Sequence, residues 1–440
     1  MPSRLAYFIS RFLIISSSTL RLPSTSLSSS SSSSVSASAM AMSTTTAITT
    51  PHRIARAAVA QLRSTRNKHS NLINIAKCAG WAKRDGAKML FLPECLGFMG
   101  DSAEHALNMA DPPMSELLLR QAPSSLQAVA PSASFRRVLA DTIESYAASP
   151  PGRHVPVDNH DDEQSHNDSN EADYGESSLI SIIEELRYIA RESNLWISGG
   201  GVHTKAVAVP KSSELLDIHT TTKSHTGSSS DDEEQGRKIY NTHVIIDDKG
   251  QIQAHYHKIH LFDVSIPGKV HLRESNTTSP GGKYVVCDSP IGKLGLSICY
   301  DMRFSEMYVD LVQKMGAQVL LMPSAFTVPT GKAHWHALLR ARAIESQCYV
   351  LAAAQVGQHN EKRQSYGHSV VYDPWGGLVA DAGGYDGVGS AGTIMESSQI
   401  DESPVRVPSI IISDIDLDQL ASVRERMPIQ QHRDDSSFMN

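Results

Sequence analysis

Apolar positions along the chain fall into short runs that alternate with helix-periodic stretches. Ala57–Leu62 is a nearly continuous apolar run and predicts a buried strand. From Asn67 to Arg84, Leu72, Ile73, Ile75, Ala76, Ala79 and Trp81 recur at helical spacing, and Gly86 supplies the stop. Lys88–Leu92 is a second apolar strand, closed by Pro93. Strand, helix and strand in this order form the unit of an α/β fold. Downstream, Ser178–Glu192 reads as an amphipathic helix and Leu195–Val202 as a strand running into Gly199, Gly200 and Gly201. Ile239–Asp247 and Gln251–His257 read as a hairpin around Asp248-Lys249-Gly250. Lys293–Cys299, Val319–Met322, Tyr349–Gln355 and Ser369–Tyr372 are further strands, and Ser305–Lys314 and Trp335–Glu345 are helices. Trp335 and Trp375 are expected in the core.

Polar stretches interrupt this rhythm. Residues near 112–176 are rich in Pro and Ser and turn acidic over Asp158–Glu176. Such a stretch buries too little apolar surface to order itself, apart from a short helix around Phe135–Tyr146. Two more polar inserts lie near 207–237 and 384–407. The pattern therefore predicts one α/β domain over 51–433 with long decorated loops, followed by a tail at 434–440.

Composition changes the picture at the N-terminus. Residues 1–50 contain Arg4, Arg11 and Arg21 and a Ser run from Ser28, and the first acid in the chain is Asp85. An Arg- and Ser-rich, acid-poor segment is the composition of a mitochondrial or plastid transit peptide. A secretory signal or a disordered tail are the other readings, and Met40 or Met42 as later starts would give a cytoplasmic form. The whole chain is 40% hydrophobic and 20% charged, with a net charge of −7. It has no basic footprint for nucleic acid and no run suited to a membrane. Five widely spaced cysteines without a C-x-x-C pair argue against a disulfide framework and a zinc cluster.

Three segments carry candidate chemistry. In Gly295–Phe304 an apolar strand ends at Cys299 and a helix begins within a few residues. The unpaired N–H groups of a helix start favour a thiolate and offer an anion site. In Phe91-Leu92-Pro93-Glu94 a carboxylate ends an apolar strand, where apolar walls can raise its pKa and suit it to act as a base. In Tyr256–Phe262, Lys258 follows a strand, and an ammonium fixed there can stabilise a tetrahedral intermediate; Glu274 is a further acid downstream. Taken singly, each has a plainer reading: a buried thiol, a capping glutamate, an exposed hairpin lysine. His257, His260, His334, His336 and His368 raise the question of a metal. His334 and His336 lie two apart on a predicted helix and share no face, so none is expected.

In order, Leu92-Pro93-Glu94, His257–Asp263 and Ser297–Arg303 resemble the Glu–Lys–Cys triad segments of the nitrilase-like carbon–nitrogen hydrolase family, and Glu274 matches its additional glutamate. Within that family, Lys258–Ser275, Pro323–Gln355, Gly357–Gly376 and Leu417–Arg433 are most similar to the deaminated-glutathione amidase branch. Two positions depart from the pattern: His336 stands where an acid usually follows Ala-His-Trp, and Ser346 where Asn is common.

The resemblance implies a four-layer αββα sandwich, a homodimer or higher homo-oligomer, and neither metal nor organic cofactor. It implies Cys299 as nucleophile, Glu94 as base, Lys258 and the backbone N–H of Tyr300 as oxyanion partners, and Glu274 as a group positioning Lys258 or Glu94. The implied substrate is a small molecule, glutathione whose amino group has become a keto group. It would be cleaved to 2-oxoglutarate and cysteinylglycine through a cysteinyl thioester. Lys362 and Arg363 are candidates for holding its carboxylates, against a solvated basic turn. The alternative is an omega-amidase acting on 2-oxoglutaramate, with ammonia leaving. A catalytically inactive scaffold is a third reading, opposed by the intact triad.

Overall fold

The computed structural model describes residues 54–121, 133–150, 180–206, 238–266, 270–385 and 407–434. The expectations for residues 1–50, for 207–237 and for most of 384–407 lie outside the described residues. β1 (Ile54–Leu62), β2 (Met89–Glu94) and β3 (Trp196–Lys205) run parallel, and β4 (Ile239–Ile246) and β5 (Ile252–His257) extend them antiparallel. A hairpin of β6 (Asp263–Ile266) and β7 (Val270–Arg273) leads on to β8 (Val286–Ser289) and β9 (Gly292–Leu296). β10 (Val319–Leu321) and β11 (Tyr349–Ala352) follow. The chain then returns to the first sheet through β12 (Ala354–Asn360) and β13 (Arg363–Tyr366), and to the second through β14 (Val370–Tyr372) and β15 (Leu378–Asp381). β16 (Ser409–Asp416) pairs with β1. The two sheets have the orders β13-β12-β1-β2-β3-β4-β5 and β15-β14-β11-β10-β9-β8.

Period-two alternation sorts the strand residues between two cores. Ala58, Ala60, Leu90, Leu92, Ile197 and Val244 pack with helices, mainly α1 (Lys68–Arg84). Their neighbours Ala57, Val59, Met89, Phe91 and Ile245 join Leu294, Leu296 and Leu320 of the second sheet. The same core takes in Tyr308, Leu311, Trp335 and Leu339 from the helices over that sheet. Helix, sheet, sheet and helix are thus the four layers, as expected. Gly200 lets the sheets close up at one end, since a Cβ there would lie 2.1 Å from Leu92 O and 2.4 Å from Pro323 Cβ.

Three expectations need correction. The stretch near 112–176 is partly ordered: beyond α2 (Ala103–Asn108), it holds α3 (Met114–Leu119) and α4 (Ala133–Ala147). α4 sets fully buried Leu139 and Ile143 against α1, and Arg136 pairs with buried Glu185 of α5 (Ile182–Ser193) at 2.8 Å. α4 is the short helix expected around Phe135–Tyr146, and two apolar residues four apart anchor it. The run Tyr349–Gln355, read as one strand, divides at Ala353 between the two sheets. Trp335 is buried, but Trp375 is 59% exposed, because it sits in the turn between β14 and β15 with its N–H on Asp373 Oδ1. The second sheet is covered by α6 (Ser305–Gln313) and α7 (Val328–Ser346). α7 starts earlier than the periodicity predicts, with Pro329 in its first turn, where a missing N–H costs nothing.

Candidate active site

Glu94 is the last residue of β2, Lys258 directly follows β5, and Cys299 opens a 3-10 turn, Cys299–Arg303, beyond β9. Glu274 opens another short 3-10 turn after β7. Strand ends of both sheets therefore deliver these residues to one place. Lys258 Nζ lies 3.3 Å from Glu94 Oε1 and 3.2 and 2.9 Å from the two carboxylate oxygens of Glu274. The Cys299 thiol hydrogen-bonds Glu94. Glu94 and Lys258 are only 4% and 2% exposed, so their charges interact without much solvent screening.

Other groups fix the two glutamates. Glu94 accepts from Asn241 Nδ2 at 2.9 Å and from the Ala325 N–H at 3.0 Å, and its carbonyl accepts from Gln355 Nε2. Glu274 accepts from the Phe262 N–H at 2.7 Å. Sequence reasoning missed Asn241 and Ala325. Asn241 carries no motif of its own, and a backbone donor leaves no trace in residue type.

The protonation pattern differs from the expectation. Burial pushes Glu94 up, but Lys258 and the Cys299 and Asn241 hydrogen bonds outweigh it and hold Glu94 below the usual carboxylate value. Burial opposes charge on Lys258 too, yet Glu94 and Glu274 hold it protonated, well above its ordinary range. Burial and the Glu94 charge push the Cys299 thiol well above the usual thiol value, against the pull of Lys258. The resting site thus holds a neutral thiol beside an ionised glutamate, where a raised carboxylate and a favoured thiolate were expected. The lysine between two acids decides this, and single segments do not show it.

Cys299 has φ +49° and Cys95, next to Glu94, φ +55°, left-handed conformations that cost free energy in a non-glycine residue. Asp301, fully buried, holds the first in place. Its Oδ2 accepts from Tyr256 Oη at 2.7 Å and from the Ile298 N–H at 2.9 Å. Its Oδ1 accepts from the His260 N–H at 3.0 Å and meets His260 Nδ1 at 2.8 Å. Asp301 therefore clamps the cysteine turn to the loop carrying Lys258. The Cys299 N–H donates to Pro323 O at 2.9 Å, whereas Tyr300, second in the turn, has no intrahelical acceptor for its N–H.

Lys362 and Arg363 are both exposed, and the Arg363 charge helps to lower Glu94. Burial raises Cys78 and Cys95 to about 12 and Cys348 to about 11, as befits inert thiols. Among the described residues, no helix is long and apolar enough to cross a membrane.

Residues 162–425 match the carbon–nitrogen hydrolase family, a span that takes in Lys258, Glu274 and Cys299. The deaminated glutathione amidase of Mus musculus is 34% identical over 390 residues, 88% of this chain and 86% of that protein. The one from Dictyostelium discoideum is 44% identical over 253 residues, 57% of this chain and 71% of that protein. Among solved structures, C. elegans NitFhit superposes with a TM-score of 0.56 at 33% identity, covering 86% of this chain and 65% of that one. Saccharomyces cerevisiae Nit3 shares the fold, with a TM-score of 0.53 at 23% identity over 85% of this chain and 94% of that one. One buried and one half-buried acid around a buried lysine, a thiol beside the buried acid and these alignments lead to one conclusion: the chain belongs to the carbon–nitrogen hydrolase family.

Proposed function

We propose that the chain is an amidase that hydrolyses deaminated glutathione to 2-oxoglutarate and cysteinylglycine. The observation that carries the reading is the ionised Glu94 hydrogen-bonded to the neutral Cys299 thiol, with Lys258 alongside. A thiol that ionises reluctantly needs a base at the moment of attack, and Glu94 is that base. The Cys299 sulfur bonds to the amide carbonyl carbon while its proton passes to Glu94. Lys258 Nζ and the Tyr300 N–H hold the oxygen that gains charge. Collapse breaks the C–N bond, and Glu94 returns the proton to the leaving amine of cysteinylglycine. Water then attacks the thioester, giving its proton to Glu94, and frees 2-oxoglutarate with the thiol restored. Glu274 acts through Lys258, keeping it protonated and placed. The substrate carries two carboxylates, one on the acyl group and one on the leaving peptide, and Arg363, whose charge reaches Glu94, is the candidate cation for the acyl carboxylate. The substrate assignment draws on the names of the mouse and Dictyostelium relatives. Product analysis of the full chain with both keto-amides tests it. Faster release of cysteinylglycine from deaminated glutathione supports the proposal. Ammonia release from 2-oxoglutaramate at the higher kcat/KM makes the protein an omega-amidase.

A further inference from the structure

His336, one of the two residues that depart from the family pattern, lies on α7 and meets two residues from the β14–β15 region. His368 Nδ1 lies 3.0 Å from both carboxylate oxygens of Asp381, and His336 Nε2 is 3.9 Å from Asp381 Oδ2. One potential ligand atom from each residue falls within 4.8 Å of the others. A tetrahedral ion bound at about 2.1 Å needs ligand atoms roughly 3.4 Å apart, so a combined shift on the order of 1 Å would close the widest of these separations.

The surroundings prepare the three side chains. The second nitrogen of His336 is engaged by Tyr372 Oη at 2.9 Å, the outer contact that fixes the tautomer of a ligating imidazole. Asp381 Oδ1 accepts from the Gly383 N–H at 2.8 Å. His368, held at φ +57°, packs its ring against Tyr366 and His336, with centroids 4.6 and 5.0 Å away. Gly384 lies flush on that ring, since a Cβ there would come within 2.1 Å of His368 Nε2.

We propose that His336, His368 and Asp381 form a binding site for a divalent transition-metal ion of the zinc type, tying α7 to the β14–β15 hairpin. Two imidazoles and one carboxylate suit Zn2+ with water in the fourth position, while Mg2+ and Ca2+ prefer oxygen ligands throughout. On the helix itself, His334 and His336 lie two apart and share no face. The fold separates that pair, giving His334 to Arg303, and supplies His336 with other partners.

The test uses the tag-free full chain carrying Cys299→Ala, so that the active-site thiol cannot capture the ion. Equilibrium dialysis with Zn2+ should find one ion per chain, and Co2+ should give the visible absorption of a low-coordinate N/O site. Because outer-shell losses cost about 10–100-fold in affinity, Tyr372→Phe should fall in that range, and His336→Gln or Asp381→Asn should exceed a loss of about 100-fold. Circular dichroism without metal checks that each variant is folded, and the two ligand variants serve as substitutes for one another. Absence of stoichiometric Zn2+ binding overturns the proposal, as does binding of unchanged affinity in a folded ligand variant.

Discussion

Glu94 and Cys299 divide one proton and one charge between them, and the buried Lys258 decides which group holds which. Glu94→Gln should therefore slow acylation more than a hundredfold, within the usual range for losing a general base. Intact-protein mass spectrometry with a slow amide substrate reads this directly. An adduct forming on Glu94→Gln at the unmodified rate would confine Glu94 to thioester hydrolysis. The pH dependence has a definite sign. Glu94 sits below its ordinary value, so its ionised form is fully present above that value and is lost as pH falls through the lower folded value. The acid limb of kcat/KM should accordingly have its midpoint below about 4.3, the ordinary glutamate pKa. A midpoint near neutrality would mean that Lys258 does not hold the charge on Glu94. Asp301→Asn should lower kcat by about a hundredfold, because displacements near 1 Å at the nucleophile have that effect. Such a variant keeps Glu94, Lys258 and Cys299, so unimpaired turnover would show that the clamp is dispensable.

Helix α4 shows how an element can be essential without touching the site. Its buried Leu139 and Ile143 close the outer face of α1, and Gly80 permits the approach, because a Cβ there would lie 2.6 Å from Ile143 O. Replacing Ile143 by Ala leaves a cavity in a filled core, at a cost of about 2–5 kcal/mol. Urea unfolding should record that loss, while kcat of the folded fraction stays close to that of the unmodified protein. A loss below about 1 kcal/mol would mean that α4 is only loosely docked.

At the scale of the whole molecule, the 207–237 insert enters between two paired strands. β3 and β4 are antiparallel, with Lys205 opposite Ile239, and the Ala206 N–H donates to Lys238 O at 2.9 Å. The two ends of the 207–237 insert thus already lie at hairpin distance. Replacing 207–237 with a short Asn-Gly turn should leave turnover and Tm close to those of the full chain, since each doubling of loop length changes closure by only about 0.6 kcal/mol. A large loss of activity with the fold retained would show that the insert contributes to the substrate pocket.

Local pattern in the sequence determined much of this. Alternation and helical spacing specify α1, α5, β2 and the β4–β5 hairpin, since each depends on contacts between near neighbours in the chain. The segments around Glu94, Lys258 and Cys299 stood out because each lies at a strand end, and their order, through resemblance, assigned them together with Glu274. Other features came only from tertiary structure. The division of Tyr349–Gln355 between two sheets, the docking of α4 and the exposure of Trp375 depend on what each segment meets across space. The charge state of the triad does so as well: Glu94 is held ionised and Cys299 neutral by Lys258, whose own charge rests on Glu274. Electrostatic coupling falls with distance in space and is indifferent to distance in sequence, so only the folded chain could decide it.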